Sequence, residues 1–468
     1  MSDKPKSTLK RVKTGAFERR FSMARAGFVA GTRLAAQSAG NMFSAKDQRA
    51  GKQKQILSKQ AHYLADEIGK LKGSIVKIGQ MMALYGEHFL PVEVTEALHT
   101  LEDDTAALEW ATIHKELVQE LGDDRLALLN IEETPLGAAS IGQVHKATII
   151  SSGEQICLKV QYPGVAEAVD SDLSAVETLL RVMKLVPITE EFKAWFQEIR
   201  EMMHREVDYD HEREKTKLFR ERLKGDNRFV VPKVYDQFCS KRVVATAYEP
   251  GLNIDAADTK ALSQQRRNQI CSAALDLCWK EVFEWGEMQT DPNFGNYFVQ
   301  LGNGIDEIDK IVLLDFGAVR EFSDHTLIPG RKIVAAAYLH DDKMLLEAMD
   351  QLNLFRPNTP DDARRGLLKL CYMAIEPFAD AERFPPPSYL LNDKNEYIWG
   401  DSNLPARLSM QAGLSAAGSN RHFTMPPREL MFLVRKIMGA YTFMSVLKAE
   451  IRGSDILAPY VAEPALSE

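Results

Sequence analysis

The sequence predicts an α+β fold: a strand-bearing lobe and a mostly helical lobe, preceded by a helical extension. Three observations carry this. Apolar residues recur three and four apart through residues 51–130, the period of a half-buried helix. Between 131 and 250 the period falls to two in short runs such as Gln155-Ile-Cys-Leu-Lys-Val160, the mark of strands. From 251 to 455 the helical period returns, and inside it Asp291 and Asp315 stand in short loops.

The chain of 468 residues is long enough for two or three domains' worth of core. With 45% hydrophobic and 26% charged residues it has an ordinary globular composition. A net charge of -8 argues against a nucleic-acid partner. The five cysteines, Cys157, Cys239, Cys271, Cys278 and Cys371, have no metal-binding spacing and read as buried thiols of a reducing compartment. No apolar run reaches the roughly 18 residues that span a bilayer, and no secretory signal is expected.

Taken in order, residues 1–50 form a basic arm, with eleven Lys/Arg against three acidic residues. It reads either as a tail or as a segment lying on an anionic membrane surface, with Phe21, Phe28 and Leu34 dipping in. In the extension, 51–130, Leu64, Ile68, Leu71, Ile75, Ile78, Met82 and Tyr85 make one buried stripe of a helix over 51–90. Lys77 and Gln80 share a face beside it, and Gly79 between them permits close approach. On pattern alone Lys77 is an ordinary solvated lysine.

In the strand-bearing lobe, 131–250, Leu136-Gly-Ala-Ala-Ser-Ile-Gly-Gln-Val144 is a small-residue turn between strands. Backbone N–H groups approach phosphate only where side chains are small. Gly137, Ala138, Ala139, Ser140 and Val144 are therefore candidate nucleotide contacts, with Lys159 on the next strand as the phosphate clamp. Such a lysine needs a helix carboxylate to hold it. Asp208 and Glu212, four apart in a helix opened by Glu206 to Glu212, offer one. Val230–Tyr235 and Arg242–Tyr248 read as strands, with Glu249-Pro-Gly251 as the connection between lobes. Thr246, Tyr248 and Glu249 are placed to contact an adenine edge.

One long helix is expected from Ala261 to Glu287, delivering Asp291-Pro-Asn-Phe-Gly-Asn296; Asp315-Phe-Gly317 follows an apolar run. An aspartate with an asparagine five places on, then Asp-Phe-Gly, is the order used by protein kinases. Asp291 would orient the phosphoryl acceptor, and Asn296 and Asp315 would hold a magnesium ion (Mg2+) on ATP. This predicts a two-lobed protein-kinase-like fold. Beyond Gly317 helices are expected to the end, the last over Glu429–Ile451, before a tail at 456–468. No Ala-Pro-Glu follows Asp-Phe-Gly, and Asp291 follows Gln289-Thr290 rather than His-Arg, which speaks against an ordinary Ser/Thr/Tyr kinase.

Together these motifs resemble the UbiB/AarF family of atypical kinase-like proteins, over roughly residues 50–450. Its K-x-G-Q motif stands as Lys77-Ile-Gly-Gln80, its alanine-rich loop as Gly137-Ala-Ala-Ser140, and its E-x-D motif as Glu206-Val-Asp208. The wording Gln289-Thr-Asp-Pro-Asn293 resembles the mitochondrial-type branch. Gly137 departs from the family's usual alanine. The resemblance implies that the extension covers the protein-substrate site and that Lys77 reaches Glu206 and Asp208. It further implies an ATPase or small-molecule kinase supporting ubiquinone biosynthesis, with quinone-precursor lipids or that pathway's enzymes as partners. The expected setting is the cytoplasmic face of a bacterial inner membrane, or alternatively a mitochondrion, and a homodimer is left open. An active protein kinase, motivated by Gly137, and a catalytically silent nucleotide-binding scaffold are the alternatives.

Overall fold

The computed structural model describes residues 46–71, 73–86, 89–101, 107–302, 308–380, 383–419, 423–424 and 426–462. The basic arm therefore lies almost wholly outside the described residues, including Phe21, Phe28 and Leu34. Helices α1 (Lys46–Leu71), α2 (Ser74–Tyr85), α3 (Val92–Leu98) and α4 (Trp110–Leu126) build the extension. The single helix expected over 51–90 is in fact two. Gly73 takes φ 73° and ψ -145°, a conformation only glycine enters cheaply, and it ends the run. Strands β1 (Leu129–Ile131), β2 (Gly137–Ala138), β3 (Gly142–Ile149) and β4 (Gln155–Gln161) follow, then α5 (Val165–Val182), α6 (Glu190–Glu206) and α7 (Tyr209–Arg222). Next come β5 (Phe229–Val230), β6 (Val243–Ala247), β7 (Leu252–Asn253) and α8 (Gln264–Lys280).

The chain divides into two compact units, one of residues 1–214 and 233–248, the other of 215–232 and 249–468. In the first, β1, β3, β4 and β6 form an antiparallel sheet, with β2 paired on β3. One face of it is fully buried under α4 by Leu158, Val160, Ile156, Val243 and Ala245. Alternation places Val144, Lys146, Cys157, Lys159 and Thr246 on the other face, half-buried. Register joins them directly: Val144 lies opposite Lys159, and Cys157 lies between Lys146 and Thr246.

The second unit holds a sheet in the order β5, β10 (Lys310–Leu313), β9 (Tyr297–Gln300), β7. A separate ribbon pairs β8 (Glu287–Gln289) with β11 (Val319–Glu321). Around them stand α9 (Asp324–Leu339), α10 (Asp342–Gln351), α11 (Asp361–Ile375), α12 (Leu404–Ser419), α13 (Arg428–Val446) and α14 (Gly453–Val461).

Several elements differ from the expectation. The helix read over Ala261–Glu287 starts only at Gln264, where the Ser263 hydroxyl caps it, and its last turn widens to a π-helix over Glu281–Trp285. Gly286, at φ 63°, then turns the chain so that Glu287 is already strand. The strand read over Val230–Tyr235 pairs only at Phe229–Val230, because Pro232 has no N–H to donate; Val234 makes a single bridge to Thr246. The end of the chain is not all helix. Beyond β11, β12 (Tyr397–Ile398) pairs with β13 (Glu450–Ile451), and α13 stops at Val446 ahead of Lys448 at φ 48°. The tail expected from 456 begins inside α14, whose Tyr460 hydroxyl donates to Asp276 at 2.5 Å.

Candidate active site

In the first unit, Lys159 and Glu212 meet as the alternation and helical spacing expect. The Lys159 amine donates to both carboxylate oxygens of Glu212, at 2.7 and 2.8 Å, and lies 5.3 Å from the Tyr209 ring centroid. Glu212 is buried while Lys159 is part-exposed, so the amine remains within reach of a ligand. Asp208 caps α7: its carboxylate accepts from the His211 N–H at 3.0 Å and its carbonyl from that of Glu212. Glu206, which would lie off the face shared by Asp208 and Glu212, precedes the first turn of α7; it is the last residue of α6.

Lys77 pairs with Glu206 at 3.0 Å, so the lysine that pattern alone left on the surface is engaged. Its helix is fixed at several points. Ser74 donates to buried Asp172 on α5, the Trp195 indole on α6 donates to the Tyr85 carbonyl at 2.9 Å, and the Gln80 amide reaches the Leu101 carbonyl at 3.5 Å. A Cβ on Gly79 would stand 2.4 Å from the Leu101 side chain, which is why the residue between Lys77 and Gln80 is glycine.

The small-residue turn is a short hairpin. Gly137 pairs with Val144 and Ala138 with Gln143, and the Ala139 N–H donates to the Gly142 carbonyl at 2.8 Å, which commits one amide the sequence left open to phosphate. Ser140 is buried. Sequence reasoning missed the residues beneath it. Gln143 accepts from the Leu108 N–H at 2.8 Å, which ties the strand to the extension. Burial lowers the pKa of His145 below the usual histidine range, leaving it neutral. Its Nδ1 then donates to the Glu132 carbonyl at 2.8 Å, and its Nε2 accepts from the Gln143 amide at 2.8 Å. Tyr248 lies under the Lys146 amine at 4.3 Å from its centroid.

In the second unit, the two loop aspartates come together. The Asn296 amide donates to Asp291 Oδ2 at 3.0 Å, and the Asn293 N–H to Asp291 Oδ1 at 3.3 Å. Asp315 Oδ1 accepts from the Gly317 N–H at 2.9 Å. Gln289 links the loops: its amide donates to the Asp315 carbonyl, and its side-chain oxygen accepts from the Asp291 N–H at 2.7 Å. The sequence offered Gln289 only as wording, because a bridge of this kind has no periodicity. Lys215 and Arg222 of α7 hold Glu287; burial works to raise that carboxyl's pKa, but the two cations outweigh it and the net shift is downward. Burial pushes the Tyr297 phenol up to about 12. Glu249, expected near an adenine, accepts from the Gln300 amide at 3.0 Å.

Among the described residues no group of three or more His, Cys, Asp or Glu could hold a metal alone. Asn296 and Asp315 nevertheless fit magnesium, which takes oxygen ligands and is commonly bound by one or two protein groups plus phosphates. The Asn296 nitrogen is committed to Asp291, which leaves its oxygen as the end suited to a cation.

The ABC1 atypical kinase-like domain model matches residues 100–349. The chain is 32% identical over 397 residues to atypical kinase COQ8B, mitochondrial, of Danio rerio, covering 83% of this chain and 59% of that one. To atypical kinase COQ8, mitochondrial, of Saccharomyces cerevisiae it is 28% identical over 390 residues, covering 83% and 73%. It spans about half of the similar atypical kinase coq-8 of Caenorhabditis elegans, at 48%. A Mycobacterium tuberculosis protein solved with erythromycin shares the fold, with a TM-score of 0.60 at 21% identity over 91% of this chain and 100% of that one.

Proposed function

The chain belongs to the ABC1 atypical kinase-like family, and from that premise we propose that it is a magnesium-dependent ATPase, or a kinase of small molecules. The observation that supports this best is that each unit carries its own assembled set: Lys159 held by Glu212 in the first, and Asp291 held by Asn296, beside Asp315, in the second. Lys159 neutralises the phosphates, and Glu212 keeps its amine from collapsing elsewhere. Asn296 and Asp315 would hold magnesium, which when bound would offset the charge on the transferred phosphoryl group. Asp291, with both oxygens accepting hydrogen bonds, orients a water or small hydroxyl. Thr246, Tyr248 and Glu249 line the adenine side, and the turn from Gly137 to Ser140 covers the phosphates. Lys77, tied to Glu206, anchors the extension to α6 within the first unit.

The process we propose is ubiquinone biosynthesis, on quinone-precursor lipids or beside the enzymes that modify them, at an anionic membrane surface reached by the basic arm. The mitochondrial names of the relatives favour a mitochondrial-type setting over the bacterial inner membrane. Among the described residues no helix is long and apolar enough to cross a membrane. Phosphate release from magnesium-ATP tests the activity: the wild type releases it and Asp291→Asn loses at least about 100-fold, a deficit in the range such positioned groups supply. Hydrolysis at the wild-type rate in Asp291→Asn would remove the assignment. Label from γ-phosphate-labelled ATP appearing on protein rather than as free phosphate would favour a protein kinase instead.

A further inference from the structure

Lys436, Gly439 and Phe443, at positions i, i+3 and i+7 of α13, lie on the helical face that borders the loop at 289–297. Lys436 is buried and forms an ion pair with Glu281, which is 1% exposed. Glu281 Oε1 accepts from the Gln289 N–H at 3.1 Å, and Gln289 is the residue whose side chain bridges Asp291 and Asp315. At Gly439 an added Cβ would stand 2.4 Å from the Pro292 side chain. The Phe443 ring packs edge-on against both Phe294 and Tyr297, each at 6.2 Å between centroids. A small cavity between these groups borders Lys436, Pro292 and Tyr297.

We propose that α13 is a positioning element for the phosphoryl-transfer loop, with Lys436 setting, through Glu281 and Gln289, where Asp291 and Asp315 stand. Burying an ion pair is costly in desolvation, and an apolar pair of similar size is often at least as stable. A pair kept at this depth, one residue removed from the loop it serves, is suited to fixing a conformation. The apolar contacts at Gly439 and Phe443 hold the same loop from the same helix, so the loop follows α13 as one body. The role in turnover rests on the ATPase reading above; the role in holding the loop does not.

The test is the double variant Lys436→Met/Glu281→Met, with Gly439→Ala as an independent second probe and Val434→Ser, on the exposed face of α13, as the control. Hydrogen exchange at the amides of residues 289–296 is read beside the thermal midpoint. The expected result is exchange at least about tenfold faster in that segment, with elsewhere unchanged and the midpoint near that of the wild type. Manganese binding in the presence of ATP, read by electron paramagnetic resonance, weakens at least about tenfold, and kcat falls more than KM rises. Lys436→Arg, which keeps the charge, restores both to within about threefold. Exchange and manganese affinity within twofold of the wild type in the double variant would overturn the proposal. If that variant does not fold, the same two outcomes in Gly439→Ala decide. If the wild type neither binds manganese with ATP nor releases phosphate, the function above fails, while the exchange result still judges α13.

Discussion

Replacing Glu212 with glutamine probes the first unit's set without changing its shape. The carboxylate receives both hydrogen bonds from Lys159, at 2.7 and 2.8 Å, and its side chain is only 7% exposed. At that separation and an effective dielectric of about 20, the charge–charge attraction is about 6 kcal/mol before desolvation. Much of that is offset by the cost of burying Glu212, and a neutral glutamine oxygen still accepts one of the two bonds. A net loss of about 1.5–3 kcal/mol remains, the range for hydrogen bonds to a charged group. If this energy serves to hold the Lys159 amine on phosphate, the loss appears in the transition state as a fall of about 10–100-fold in kcat/KM. The assay is phosphate release over a series of ATP concentrations, with circular dichroism to confirm the fold. Glu212→Asp, charged but shorter, falls between the two. A folded Glu212→Gln with kcat/KM within twofold of the wild type would refute the reasoning that Glu212 positions Lys159.

Further outcomes follow from the same geometry. Cys239, Cys271 and Cys278 are buried, and of the part-exposed thiols Cys157 and Cys371 it is Cys157 that shares a face with Lys159, so magnesium-ATP slows its alkylation several-fold and leaves that of Cys371 unchanged; equal rates at Cys157 with and without magnesium-ATP, read by mass spectrometry, would contradict this. Gly137 has no atom within 4 Å of where a Cβ would stand, so Gly137→Ala keeps the fold and gains about 0.4–1 kcal/mol by restricting the unfolded chain; a lower thermal midpoint would count against it. The Arg228 hydrogen bonds hold the Asp226 carboxyl down to about 2, so its contribution is present above its ordinary pKa near 3.8 and is lost as pH falls toward 2; Asp226→Asn should flatten the acid limb of a stability–pH curve, and an unchanged limb would argue that the pair adds nothing.

What the sequence made legible was local. Asp291 and Asn296 are five apart in one loop, so their meeting needed no tertiary knowledge, and Lys159 announced itself by strand alternation. Glu212 was readable because α7 repeats every four residues and Lys159 required a carboxylate. Gly73 defeated the helical reading of 51–90, since a single glycine within a strong periodic pattern is usually tolerated and only its positive φ reveals a break. Contacts that choose partners over long stretches of chain left no trace in periodicity. The tie of Gln143 to Leu108, the Gln289 bridge and the Lys436 pair with Glu281 each depend on where other elements pack. They are also buried polar groups, which are costly unless satisfied, so each marks a place where the fold is tightly specified.

Titration calorimetry of ATP into the wild type and Asp315→Asn, with and without magnesium, addresses the central claim most directly. The account predicts ATP binding that tightens at least about tenfold with magnesium in the wild type and loses that gain in Asp315→Asn, about 1.4 kcal/mol or more. ATP affinity indifferent both to magnesium and to Asp315 would contradict it.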